Sequence, residues 1–151
     1  IVRIERGAEV APAGLPTLAP IGCVASIVDW NQLDNGLLGI TVAGGHRFRP
    51  DDCWREDSGL IRATVDVLPE LEKAPMIKAW EPIRTVLRGL EEHPHVQRIG
   101  LDIDYDDAWQ VAFTLVQLLP VEEPIKVELL GLSRIEELMR EVELILSALS
   151  G

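Results

Sequence analysis

The chain has 151 residues, of which 47% are hydrophobic, enough apolar material for the core of one domain or of two small subdomains. Its longest apolar runs, such as Val111 to Leu119, are broken by polar residues well short of the roughly 20 that a bilayer span needs, so no segment reads as crossing a membrane. The net charge of −11 is concentrated in residues 66–151, a field that repels phosphate backbones, and three lysines form no cluster able to release counterions, so nucleic acid is not an expected partner.

The chain opens at Ile1 with neither an initiator methionine nor a basic-then-apolar leader, and Ile1-Val2-Arg3-Ile4 already alternates like a strand. It therefore reads as a fragment of a longer protein. Cys23 and Cys53 are too few for a disulfide framework and lack CxxC spacing, which points to a reduced, cytoplasmic protein, a Cys23–Cys53 bridge being the other option.

Residues 1–68 read as β structure. The segment Ala11-Pro12-Ala13-Gly14-Leu15-Pro16, with Pro20 close behind, is expected to be a loop, because proline cannot donate to a ladder and glycine relaxes the backbone. A strand follows from about Gly22 to Trp30. Asn35-Gly36 then predicts a tight type I′ hairpin, since both residues tolerate the positive φ that this turn demands, and Leu38, Ile40 and Val42 alternate beyond it. Gly44-Gly45 predicts a second turn, His46 to Trp54 a further strand, and Arg55-Glu56-Asp57-Ser58-Gly59 a polar turn. In the strand that follows, Ile61, Ala63, Val65 and Val67 share one face while Arg62, Thr64 and Asp66 share the other. Short strands joined by tight turns indicate a small antiparallel barrel or sandwich.

The period changes after Pro69, and residues 69–151 read as an α-helical subdomain. Ile77, Trp80, Ile83, Leu87 and Leu90 fall on one helical stripe between Pro75 and Glu92, and Pro82 is expected to kink or divide that helix. A second helix is expected from about Asp106 to Leu119, stopped by Pro120, and a short third one from about Glu122 to Leu130, with Gly131 as its cap. Ser133-Arg134-Ile135-Glu136 reads as a capping box opening a last helix, whose stripe is Ile135, Leu138, Met139, Val142, Leu146 and Leu149. No internal repeat is evident.

The pattern Gly22-Cys23-Val24-Ala25-Ser26-Ile27, then Leu33-Asp34-Asn35-Gly36, then Val42-Ala43-Gly44-Gly45-His46-Arg47-Phe48 resembles the amino-terminal domain of Lon proteases. In that family a glycine opens a strand reading like GTxAxI, an LPDG-like turn follows, and a VxGxxR motif closes the hairpin. Leu129-Leu130 followed by Ser133-Arg134-Ile135-Glu136-Glu137-Leu138 is similar to the helical end of the same domain. Asn35 departs from the commoner aspartate and Ile135 from the commoner leucine. The resemblance implies a PUA-like pseudobarrel joined to a helical bundle, an α+β fold. It also implies a role in recognising substrates and aiding assembly, while separate domains of the protease hydrolyse ATP and cleave peptides. Family members begin with a further strand and helix, so this chain reads as amino-terminally truncated, with a barrel edge exposed or paired with a second copy as a dimer. Gly22, Asn35, Gly36, Gly44, Gly45 and Arg47 stand at positions of the structural motif.

Among candidate sites, Asp102, Asp104, Asp106 and Asp107 invite a calcium reading. Counted from Asp102, however, the sixth residue is Asp107 where the loop needs glycine and the twelfth is Phe113 where it needs a bidentate glutamate. Capping of the second helix explains these acids better. His93 and His95 flank Pro94 with the spacing of neither a helical pair nor a zinc finger, and His46 has no placeable nucleophile beside it. No metal and no cofactor is expected, and no GxxxxGK phosphate loop occurs. Trp30, Leu37, Leu38 and Trp54, large apolar side chains at or beside hairpin turns, are candidates for a surface that binds protein, against ordinary packing as the plainer reading. Trp80 and Trp109 lie on helical stripes and read as core. Arg47 reads as a structural hydrogen-bonding residue of the hairpin.

The reading that results is a non-catalytic protein-binding module, in which the groove between the subdomains or the hairpin tip contacts unfolded or partner polypeptide. An RNA-binding role follows from fold analogy alone, since PUA-like barrels often bind RNA. A small-molecule or hydrolytic site between the subdomains comes last, because no nucleophile, base and orienting group assemble from the motifs.

Overall fold

The computed structural model describes residues 1–9 and 14–151, so the predicted loop residues Ala11, Pro12 and Ala13 lie outside the described residues. The chain divides into two compact units, Ile1–Glu70 and Leu71–Gly151. The first is a four-stranded antiparallel sheet and the second is helical, which is the α+β class expected.

In the first unit, β1 (Val2–Arg6), β2 (Thr17–Gln32), β3 (Leu38–Arg55) and β4 (Ile61–Val67) pair in chain order. This meander is closed by one turn used twice. At the first, the Gly36 N–H donates to the Leu33 carbonyl at 2.9 Å and the Leu33 N–H to the Leu37 carbonyl at 2.8 Å. At the second, the Gly59 N–H donates to the Glu56 carbonyl at 2.8 Å and the Glu56 N–H to the Leu60 carbonyl at 2.9 Å. Gly36 (φ 80°) and Gly59 (φ 89°) are left-handed, and no non-glycine residue among those described has a positive φ. The loop is therefore a type I turn followed by a left-handed glycine, which corrects the type I′ geometry expected at Asn35-Gly36. Asn35 contributes through its side chain instead: its Oδ1 accepts from the Leu37 N–H at 3.0 Å, as Ser58 Oγ accepts from the Leu60 N–H at 3.4 Å. Leu33-Asp34-Asn35-Gly36-Leu37 thus recurs as Glu56-Asp57-Ser58-Gly59-Leu60, a five-residue turn used twice rather than a repeated supersecondary unit.

Two strand boundaries differ from expectation. β2 begins at Thr17 and runs through Pro20, which lies where the β1–β2 ladder shifts register between Ile4↔Leu18 and Val2↔Gly22, and before β3 joins at Gly22↔Phe48. A proline at an irregularity removes no ladder bond, so the strand tolerates it. Gly44-Gly45 is not a turn, and His46 to Trp54 is not a separate strand, because β3 continues through both. The register passes from Cys23↔Arg47 to Ala25↔Gly44, so the extra residue bulges out of β3, a use of paired glycines that looks the same in sequence as a turn. Ala19, Ile21 and Phe48 are the buried hydrophobic residues of this sheet.

The second unit is built around α3 (Ala108–Leu118). Its Trp109, Val111, Ala112, Leu115 and Val116 are buried in one cluster with Ile83 and Leu87 of α1 (Glu81–Glu91), Leu129 of α4 (Glu123–Leu130), and Leu138, Met139 and Val142 of α5 (Ile135–Ser150). The short α2 (Pro94–Gln97) carries no buried residue. Pro82 opens α1 rather than kinking it: in the first turn its missing N–H has no intrahelical partner to lose, so the helix starts there. The residues before it form a single 3-10 turn, Lys78–Trp80, and Ile77, expected on the stripe, is exposed. Trp80 packs partly buried against the cluster, in line with its expected core role.

The predicted capping box at Ser133 does not form. α5 begins one residue later than the box requires, with Arg134 as its N-cap and no side-chain cap bond, so Ser133 lies outside and Glu136 falls one position short. Glu137 takes the third helical position and pairs with Arg134 at 3.5 Å. Leu149, placed on the buried stripe by its spacing, is exposed.

The acidic cluster acts as expected at α3. The buried Asp107 caps the helix by accepting from the Trp109 N–H at 3.1 Å, and the same oxygen accepts from the Ala74 N–H at 3.4 Å. The Ala108 N–H in turn donates to the Ala74 carbonyl at 2.8 Å, so one aspartate both starts the helix and straps the extended segment before α1 onto it. Asp104 accepts from the Lys73 ammonium and from the Asp106 N–H, which hold its carboxyl below the usual carboxylate range.

Candidate functional site

Beyond Gly22 the ladder to β1 ends with the Ile1–Cys23 backbone contacts, and β4 reaches β3 only from Phe48 onward. Among the described residues, the hairpin from Val24 to His46 is therefore a two-stranded ribbon within the sheet unit, without the third strand that usually stabilises such a pair. Its register fixes what each face carries. Ile27↔Val42 and Trp30↔Ile40 are direct partners, and Leu38 lies two residues from Ile40, so Ile27, Trp30, Leu38, Ile40 and Val42 share one face. Asp29, Asn31, Gly39 and Thr41 share the other.

The apolar face is open. Trp30 is 66% exposed, Leu38 62%, Ile27 64%, Ile40 52% and Val42 42%. A soluble chain rarely leaves such residues contiguous and uncovered unless they meet something. Of the predicted protein-binding residues, Trp30 and Leu38 stand on this face, while Leu37, 63% exposed, belongs to the turn. Trp54 is 43% exposed but pairs with Arg62 at the other end of β3, beside the second turn, so the structure does not bring it to Trp30. The residues that sequence reasoning did not assign to the surface are Ile27, Ile40 and Val42. The signal was present in the alternation of Leu38, Ile40 and Val42, but only the cross-strand register adds Ile27 and Trp30 to them.

The motif residues serve the root of this hairpin. Gly22 pairs directly with Phe48, and a Cβ on Gly22 would lie 2.6 Å from Phe48 Cζ and 2.7 Å from the Ile1 carbonyl oxygen. Gly44 pairs with Ala25 at the edge of the β3 bulge, in which Gly45 and His46 lie opposite Val24, and Cys23 Sγ sits 3.3 Å from the Gly45 carbonyl. Arg47 is buried, its carbonyl accepts from the Leu68 N–H at 2.8 Å, and burial, with Arg49 nearby, lowers its pKa from the ordinary arginine value. Cys23 and Cys53 are both free thiols. His46 lies 3.5 Å from Glu70 in an exposed pair.

In the helical unit, His93 caps α2, its Nδ1 accepting from the His95 N–H at 3.3 Å, and the two rings stack 5.3 Å apart. Among the described residues no three His, Cys, Asp or Glu side chains converge to hold a metal ion, and no helix is long and apolar enough to cross a membrane. A cleft between α1 and the segment after α2 is lined by Arg88, Glu91, Gln97, Leu101 and Tyr105. There the Tyr105 hydroxyl donates to Glu91 Oε2 at 2.6 Å, and the Arg88 guanidinium lies 4.8 Å from the centre of the tyrosine ring. Burial first, and the Glu91 carboxylate second, push the phenol up to about 12.

Tyr105 is the single tyrosine of the chain, so tyrosinate absorbance reads it directly. The expected midpoint in the folded protein is about 12, and Glu91→Gln should bring it down, since the carboxylate is one of its causes. A folded-state pKa raised above the unfolded value near 10 means that the folded form holds the proton longer. This group's contribution to stability is therefore complete below about pH 10 and is lost as pH rises toward 12. A midpoint near 10 in the folded protein would show that the Tyr105–Glu91 bond does not persist in solution.

No family model matches this sequence, and no curated protein is significantly similar to it. Solved structures do match its fold. The Lon N-terminal domain protein from Xanthomonas campestris superposes with a TM-score of 0.67 at 22% identity, over 83% of this chain and 67% of that one. The N-terminal domain of the Mycobacterium avium complex Lon protease superposes with a TM-score of 0.60 at 20% identity, over 87% of this chain and 72% of that one. The chain has a Lon N-terminal-domain-like fold, as the hairpin motifs implied.

Proposed function

We propose that the chain is a non-catalytic polypeptide-binding module whose β2–β3 hairpin holds apolar segments of unfolded or partner protein. The observation that carries this reading is the one-sided face of Ile27, Trp30, Leu38, Ile40 and Val42, exposed on a ribbon that no further strand of the sheet unit joins among the described residues. Such a face gains hydrophobic free energy only by meeting another apolar surface, and a central tryptophan is the residue type that most often dominates such contacts. The Lon-like fold supports the reading, because the motif resemblance to that domain implies substrate recognition without chemistry. The acidic chain, with no lysine or arginine between Cys23 and Gly45, favours polypeptide over nucleic acid at this site.

Capture of denatured protein by the immobilised chain tests it. The parent should retain denatured protein, and Leu38→Asp/Ile40→Asp should retain about tenfold less, because a charge in the centre of an apolar contact costs more than the contact supplied. Both side chains are exposed, so the far-UV circular dichroism should be unchanged. Equal retention by a folded double variant would remove the hairpin from the binding site.

A further inference from the structure

Resting on that reading, we infer that the ligand of the hairpin is an extended, alternately apolar segment with basic flanks, which adds as a further strand to the outer edge of β3 at Leu38, Ile40 and Val42. The argument begins with the direction of the backbone amides. The bond from the Leu33 N–H to the Leu37 carbonyl sets the alternation of the ladder, so Asn31↔Gly39 and Asp29↔Thr41 exchange hydrogen bonds while Gln32↔Leu38 and Trp30↔Ile40 do not. Residues of the second kind turn N–H and C=O outward. On β3 these are Leu38, Ile40 and, across the bulge, Val42, and β4 does not extend to this part of the strand.

The two edges of the ribbon differ. On β2 the outward N–H of Trp30 already donates to Asp29 Oδ1 at 2.8 Å, and the bulge at Val28 further breaks the row. A carboxylate on the edge and a bulge are the means by which proteins blunt an edge strand. The β3 edge carries no such block from Leu38 to Val42 among the described residues, so the open row is on β3.

The same three residues that turn their amides outward also place their side chains on the apolar face. A strand docked there would therefore satisfy its backbone and bury every second side chain against Leu38, Ile40 and Val42, the combination that defines recognition by strand addition. Charge selects the flanks. Between Cys23 and Gly45 the ribbon carries Asp29 and Asp34 and no lysine, arginine or histidine, on a chain of net charge −11. That field attracts basic flanks and opposes a second copy of this chain, which would bring the same acidic charge to the same edge.

Short synthetic peptides test this. The probe alternates valine and threonine between lysine ends; its companions carry glutamate ends, or N-methyl groups on the valine amides, or N-methyl groups on the threonine amides. Strand addition uses only every second amide of the ligand, so one methylated peptide should bind like the parent probe and the other at least about tenfold more weakly. Glutamate ends should weaken binding by about tenfold at low ionic strength, an effect that shrinks as salt screens it. Asp29→Asn/Asp34→Asn should reduce that discrimination while keeping the preference between the methylated peptides. Equal binding of both methylated peptides, equal loss with both, or indifference to end charge would overturn the inference and leave polypeptide binding standing. Failure of every peptide together with failure of the denatured-protein capture would sink both. A dimer in sedimentation that Ile40→Asp dissociates would also overturn it, by assigning the edge to a second copy.

Discussion

Leu115→Ala is expected to lower the unfolding free energy of the helical unit by about 3 kcal/mol, read by urea denaturation followed through helical circular dichroism. Leu115 is fully buried in the middle of α3, a helix that contacts α1, α4 and α5. Removing its branched end takes away apolar burial and leaves a void that walls held from several sides cannot close, which places this site toward the costly end of leucine truncations. Exposed Gln117→Ala, on the same helix, should change stability by less than about 0.5 kcal/mol. A loss below about 1 kcal/mol at Leu115 would mean that the cluster relaxes freely and that α3 is not its centre.

That helix was legible in the sequence because its information is local: an aspartate cap, an apolar run and a proline stop lie within one segment. Pro82 marks a break in the helical stretch, between the 3-10 turn and α1, but the residue type says only that the chain cannot continue a helix behind it; whether it kinks a helix or opens one depends on where the first turn starts. Ser133 failed as a cap for a similar reason, since a box shifted by one residue has the same composition. Gly44-Gly45 marks an irregularity correctly, but turn and bulge use the same permissive backbone, and only the pairing of β2 along the whole hairpin distinguishes them.

The candidate site shows where local reading stops. Alternation of Leu38, Ile40 and Val42 identifies a strand with one apolar face, and any such face is ordinarily taken as core. That this one is exposed depends on where the pairing of β2 with β1 and of β3 with β4 stops among the described residues, at Val2↔Gly22 and Phe48↔Val67, which no periodicity within residues 24–46 encodes. The same limits explain why Trp30 and Trp54, similar in chemistry and both near turns, end up in different strand pairs, Trp30 opposite Ile40 and Trp54 opposite Arg62, toward opposite ends of β3.

Gly22→Val is expected to unseat the root of the hairpin, at a cost of about 3 kcal/mol to the sheet unit. The added Cβ would stand 2.6 Å from Phe48 Cζ, 2.8 Å from Phe48 Cε2 and 2.7 Å from the Ile1 carbonyl oxygen. The ring could turn away only by leaving its buried position, and the oxygen belongs to backbone that Cys23 holds through two hydrogen bonds, at 2.7 and 2.9 Å. No neighbour gives way cheaply. Gly22 also lies in the last row at which all four strands pair side by side, Val2, Gly22, Phe48 and Val67, so the ribbon beyond it depends on this root for its position. Amide hydrogen exchange should therefore show protection lost from residues 17–55 while α3 and α5 keep theirs, and capture of denatured protein should fall with it. Retained protection across β2 and β3 would show that the ring and the first strand can move aside, and that the hairpin is held by its own ladder alone.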